Sequence, residues 1–134
     1  MSLLLPGRYL YWLSVVIIGS AVSTHPVSAG DVARIKIGPF SKRVYGTLSS
    51  ASAGDTACYL HMKDDKGAAF DEMAEFDFCE PRNMRRYGGK RLALTYAMES
   101  VLSAECDGNM DCGKSDRVAL IKKLRIAPAR SRKK

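Results

Sequence analysis

CYLHMKDDKGAAFDEMAEFDFC, residues Cys58–Cys79, decides how the chain reads. In Cys58–Lys63 apolar Cys58, Leu60 and Met62 alternate with Tyr59, His61 and Lys63. A period of two with one apolar side marks a half-buried strand. Asp64-Asp65-Lys66-Gly67 is turn chemistry, because Asp tolerates turn geometry and Gly supplies positive φ. Alternation then resumes, with Ala74, Phe76 and Phe78 on one side and Glu75 and Asp77 on the other. A hairpin folded about Gly67 brings Cys58 and Cys79 within disulfide reach. The parity of Cys79 is opposite to that of Phe78, so the bridge requires a bulge or a strand already ended.

The flanks set the compartment. Residues 1–29 have one early cation, Arg8, an apolar run over Leu10–Val22, and small residues at Val27-Ser28-Ala29. This is the pattern of a secretory signal cleaved after Ala29, with an uncleaved anchor as the alternative. Its membrane contact would be transient targeting only. Removing 29 of the 134 residues leaves 105, with 20 Lys and Arg against 14 Asp and Glu. His61 is then the sole histidine. Four cysteines in an exported chain predict two disulfides, Cys58–Cys79 and Cys106–Cys112, the second closing CDGNMDC. No CxxC pair is present, which disfavours zinc, and no cofactor is implied. Secretion or a periplasmic location follows from the leader and the cysteines.

The remaining segments read as strands over Gly30–Phe40, ending at Gly38-Pro39, and over Arg43–Leu48, with a bulge expected at Gly46. Ser49–Gly54 reads as a loop. Pro81 and Gly88-Gly89 bracket a helix of one or two turns. Lys90–Val101 and Arg117–Ile126 complete the strands, with Val118, Leu120, Leu124 and Ile126 on one face. Residues 30–126 thus form one β domain, and 127–134 a flexible basic tail.

Five strands with one short helix between the third and fourth resemble an OB-fold barrel. The Gly-interrupted first strand, the 58–79 hairpin, the PRNMRRYGG link and GKRLALTY carry that resemblance. It is a resemblance of fold, and it implies binding of oligonucleotides, sugars or proteins on the face of strands 2 and 3. Gly54-Asp55-Thr56 and Glu80-Pro81-Arg82 faintly resemble secreted nucleases of the thermonuclease type. The expected Arg is absent and the Pro follows the Glu, so Asp55 alone would have to hold the metal. Asp107-Gly108-Asn109-Met110-Asp111 opens like a calcium loop, but Cys112 and Val118 replace its Gly and Glu.

Two groups of residues are candidates for ligand binding. Arg43 and Tyr45 on one strand, with Tyr59, His61 and Lys63 on the next, would form a face of aromatics and cations. Ordinary solvated strand surface is the plainer reading of the same residues. Arg82, Arg85 and Arg86 form a basic cluster whose plainer role is complementing a helix end. No catalytic residue is expected, since no serine has a usable base and the cysteines are oxidised. The sequence therefore points to a non-enzymatic exported module for an anionic ligand, nucleic acid included, or for an acidic protein surface. An envelope-assembly protein and a small nuclease-like hydrolase are the alternatives.

Overall fold

A computed structural model describes residues 31–130. The leader expected over residues 1–29 and the last four tail residues lie outside them. The described residues open with a two-stranded ribbon, β1 (Arg34–Ile37) and β2 (Phe40–Arg43), turned at Gly38-Pro39. Five strands follow: β3 (Tyr45–Ala53), β4 (Cys58–Lys63), β5 (Ala69–Ala74), β6 (Arg91–Leu102) and β7 (Ser115–Ile126). They close into a barrel in the order β3-β4-β5-β7-β6, an OB-like architecture. All its pairs are antiparallel except β5 with β7, which meet in parallel at Ala74 and Ile121.

Helix α1 (Pro81–Tyr87) lies between β5 and β6, the fifth and sixth strands among the described residues, not between the third and fourth. The ribbon explains the difference: Gly38-Pro39 turns the chain back into β2 instead of ending a single edge strand. Gly89, at φ 71°, ends the helix in the left-handed region, and its N–H donates to Leu48 O at 2.8 Å.

The hairpin and both disulfides stand as the sequence indicates. The parity conflict at Cys79 disappears because β5 ends at Ala74 and Phe76–Cys79 form a 3-10 turn. Two other expectations are corrected by single-residue bulges. Ser49–Ala53 is not loop but the second half of β3, and the register shift sits at Ser49 rather than Gly46. Gly46 instead permits close approach, since a Cβ there would come within 2.7 Å of the Phe70 ring. In β7 the unmatched residue is Lys122, so the inward positions switch from Ala119 and Ile121 to Leu124, and Ile126 at the strand's end is 56% exposed although it shares the parity of Leu124. An inserted residue reverses side-chain parity beyond it. Leu48, Leu60, Met62, Leu92 and Ile121 fill the barrel.

The turn at Asp64-Asp65 ties ribbon and barrel together electrostatically. Burial opposes ionisation of Asp64, but N–H donors from Ala68 and Lys66, both at 2.9 Å, and the Arg43 charge lower its pKa overall. Asp65 is lowered first by its two 2.8 Å hydrogen bonds from Arg91, against a smaller cost of burial. Both carboxyls ionise more readily folded than unfolded. The stability they contribute is present above the ordinary value of 3.8 and is lost as pH falls through the lowered folded values. The urea midpoint should therefore drop between about pH 4 and pH 2, and less steeply in Asp65→Asn. Equal slopes for the two proteins would contradict this.

Candidate functional site

The two candidate groups meet different fates. Arg43 ends β2, while Tyr45 begins β3 after a break at Val44, so the two do not share one strand as expected. Arg43 turns to the ribbon contact, 4.3 Å from the Phe70 ring centre and 3.4 Å from the Asp64 carboxylate. Tyr45 carries the Arg91 guanidinium 4.0 Å from its ring centre. Lys63 is exposed beyond buried Met62. The Tyr59 ring covers Gly54, where a Cβ would lie 2.3 Å away, and its hydroxyl pairs with Thr56 Oγ1 at 3.0 Å.

His61 is held on both ring nitrogens. Nδ1 lies 2.7 Å from Asp71 Oδ1, and Nε2 lies 2.9 Å from Ser52 Oγ. A carboxylate only accepts, so Nδ1 donates to Asp71, and Nε2 of the neutral ring accepts from the Ser52 hydroxyl. The sequence reading set no serine against a base, whereas the structure brings Ser52 to His61. Ser52 was hidden in a stretch whose Ser, Ala and Gly content reads as loop, yet it lies on β3 beside β4.

The basic cluster gains partners that the sequence did not indicate. A groove of about 480 Å³ runs between α1 and the end of β7. Its walls include Arg86, Lys123 and Arg125, with Phe78, Tyr87 and Ile126 supplying apolar surface. Arg86 packs over Tyr87 at 5.2 Å, and none of the three cations has a carboxylate partner among the described residues. Lys122, which also lines the groove, differs: hydrogen bonds to Glu75 and then Glu99 raise its pKa. Arg82 pairs with Glu80 at 2.6 Å, and Arg85 is exposed on α1. Lys123 and Arg125 were missed because their closeness to α1 is a long-range contact; only the charge run KKLR signals them.

A second groove, of about 630 Å³, opens where β5 and β7 part. Phe76 and Met110, 53% and 79% exposed, line it with Leu102 and Leu120. Among the described residues Asp55, Glu75 and Asp77 are its charged residues, and no lysine or arginine lines it. Among the described residues no group of three or more His, Cys, Asp or Glu side chains is placed to hold a metal ion. Compared with known proteins, the chain matches no family model, no curated protein and no solved structure.

Proposed function

We propose that this is a binding module whose anionic ligand or acidic protein partner docks in the groove between α1 and β7. The observation that carries the reading is the grouping of Arg86, Lys123 and Arg125 around apolar surface without carboxylate partners. Ion-paired cations would have to give up a partner to bind an anion, and these three do not. The two disulfides fit an oxidising, non-cytoplasmic compartment, and no helix among the described residues is long and apolar enough to cross a membrane. A periplasmic or secreted location, reached through the leader, belongs to the same proposal.

A fluorescent oligothymidylate and an oligoglutamate peptide, each titrated across a salt series, test it. Combined Arg86→Ala, Lys123→Ala and Arg125→Ala should weaken binding roughly tenfold or more and flatten the oligothymidylate salt slope by about 2. Tyr59→Ala should leave affinity nearly unchanged. Retained affinity in the triple variant, or no binding of either probe, would refute the reading. Loss in Tyr59→Ala alone would move the site to the strand face.

The second groove favours an assembly role as the second reading, because exposed Phe76 and Met110 in a groove that no described lysine or arginine lines suit a protein partner better than a polyanion. The nuclease-like alternative gains no support at Asp55. A phosphodiester placed there would meet carboxylates and no lining cation.

A further inference from the structure

We infer that Ser52, His61 and Asp71 form a nucleophile relay able to transfer acyl groups from small activated esters, an activity separate from binding at the cationic groove. Strand register brings the three residues onto neighbouring positions of one face. His61 and Asp71 are directly opposed on β4 and β5, and Ser52 lies diagonal to His61, opposite Tyr59 on β3. All three side chains stand on the outer face, since neighbouring Leu60 and Glu72 are buried. The order of contacts is that of a serine nucleophile, an imidazole base and an orienting carboxylate: Oγ to Nε2 at 2.9 Å, Nδ1 to Oδ1 at 2.7 Å. Ser50 faces His61 directly yet makes no hydrogen bond with it, so register alone does not produce the arrangement.

The surroundings define the substrate. Gly54 N–H donates to Ala57 O at 3.0 Å, toward β4. By the alternation of an antiparallel pair, Ser52 N–H also faces β4 and Ala53 N–H faces the other edge of β3. Pairing with β6 covers only Tyr45–Thr47, which leaves the Ala53 N–H beside the nucleophile as a donor for a developing oxyanion. A single such donor is a weak hole: loss of one donor elsewhere costs about 10²–10³ in rate. Good leaving groups are therefore required, and amides are excluded. Beside Tyr59 a groove of about 310 Å³, lined by Gly54 and Thr56, can seat a small acyl or aryl group. Asp55 and Asp107 on its walls select neutral or cationic esters over anionic ones.

In the acylation step Ser52 Oγ forms a bond to the ester carbonyl carbon and its proton passes to His61 Nε2. The tetrahedral adduct collapses, the bond to the leaving oxygen breaks, and that oxygen takes the proton from Nε2. Water repeats the sequence on acyl-Ser52, releasing the acid and restoring the serine. Asp71 is a positioning residue that keeps the ring in the reactive tautomer.

The oxidised domain, treated with a fluorophosphonate probe and with para-nitrophenyl acetate, provides the test. Peptide mapping should place the label on Ser52 and not on Ser50. Ser52→Ala and His61→Ala should each abolish it and slow ester hydrolysis roughly tenfold or more. Asp71→Asn should lower kcat with little change in KM. The side chains of His61 and Asp71 are 42% and 66% exposed, so these variants should keep the native circular dichroism spectrum. Label spread over several residues, label retained in His61→Ala, or hydrolysis unchanged in Ser52→Ala would each overturn the inference. None of these outcomes bears on the cationic groove, whose residues are untouched.

Discussion

Replacing Cys58 and Cys79 together by alanine should lower stability by about 3 kcal/mol on the loop-entropy account. The bridge spans 21 residues and its first cysteine is fully buried, so the variant also loses packing within the barrel. It ties the first residue of β4 to the 3-10 turn that feeds α1, and so holds one wall of the cationic groove. The Cys106–Cys112 bridge spans only six residues in the loop between β6 and β7. Its removal should cost nearer 2 kcal/mol and leave the barrel intact. Urea titrations of both double variants decide the ranking. An equal or larger loss from the Cys106–Cys112 pair would show that the shorter loop anchors more of the fold than its length implies.

The barrel was legible where local patterns and tertiary packing agree. Cys58-x-Leu60-x-Met62 alternates cleanly, Asp64–Gly67 turns, and Pro81 and Gly89 bracket the helix, so each segment carries its own signal. The signal failed at single-residue insertions. Nothing in the sequence distinguishes Ser49 or Lys122 as unmatched, yet each reverses every facing beyond it. Ala119 and Ile121 were set on the wrong face for that reason, whereas Ser52 was lost because its small polar stretch reads as loop. Phe76 and Phe78 continue the alternation of β5 but turn away as a 3-10 helix that ends at the bridged Cys79. The ribbon lay beyond reach for another reason: Arg43 and Tyr45 look like one strand, and only long-range contacts to Asp64, Phe70 and Glu72 separate them.

Those contacts set the second large effect. Lys42→Ala should destabilise the domain by about 3 kcal/mol. On β5 the inward positions are Phe70, Glu72 and Ala74, so a carboxylate only 5% exposed stands in the barrel wall. Lys42 Nζ, reaching in from the ribbon, lies 2.6 Å from its Oε2. Tyr96 is close by: burial and the Glu72 charge push its hydroxyl pKa upward, and the protonated hydroxyl donates to Arg43 O at 3.0 Å. The ribbon is thus fastened by Lys42 on one side and Tyr96 on the other. Removing one partner of a buried pair costs about 3–5 kcal/mol, because the remaining charge is left without compensation. Lys42 keeps 22% of its side chain exposed, so water can partly replace it and the lower end of that range applies. Replacing both partners by leucine removes the stranded charge and should recover most of the loss, since apolar substitutes of similar volume often match a buried ion pair. Thermal or urea unfolding of the single and double variants measures the difference. If the double variant is as unstable as Lys42→Ala, the loss comes from the ribbon leaving the barrel and not from the isolated carboxylate.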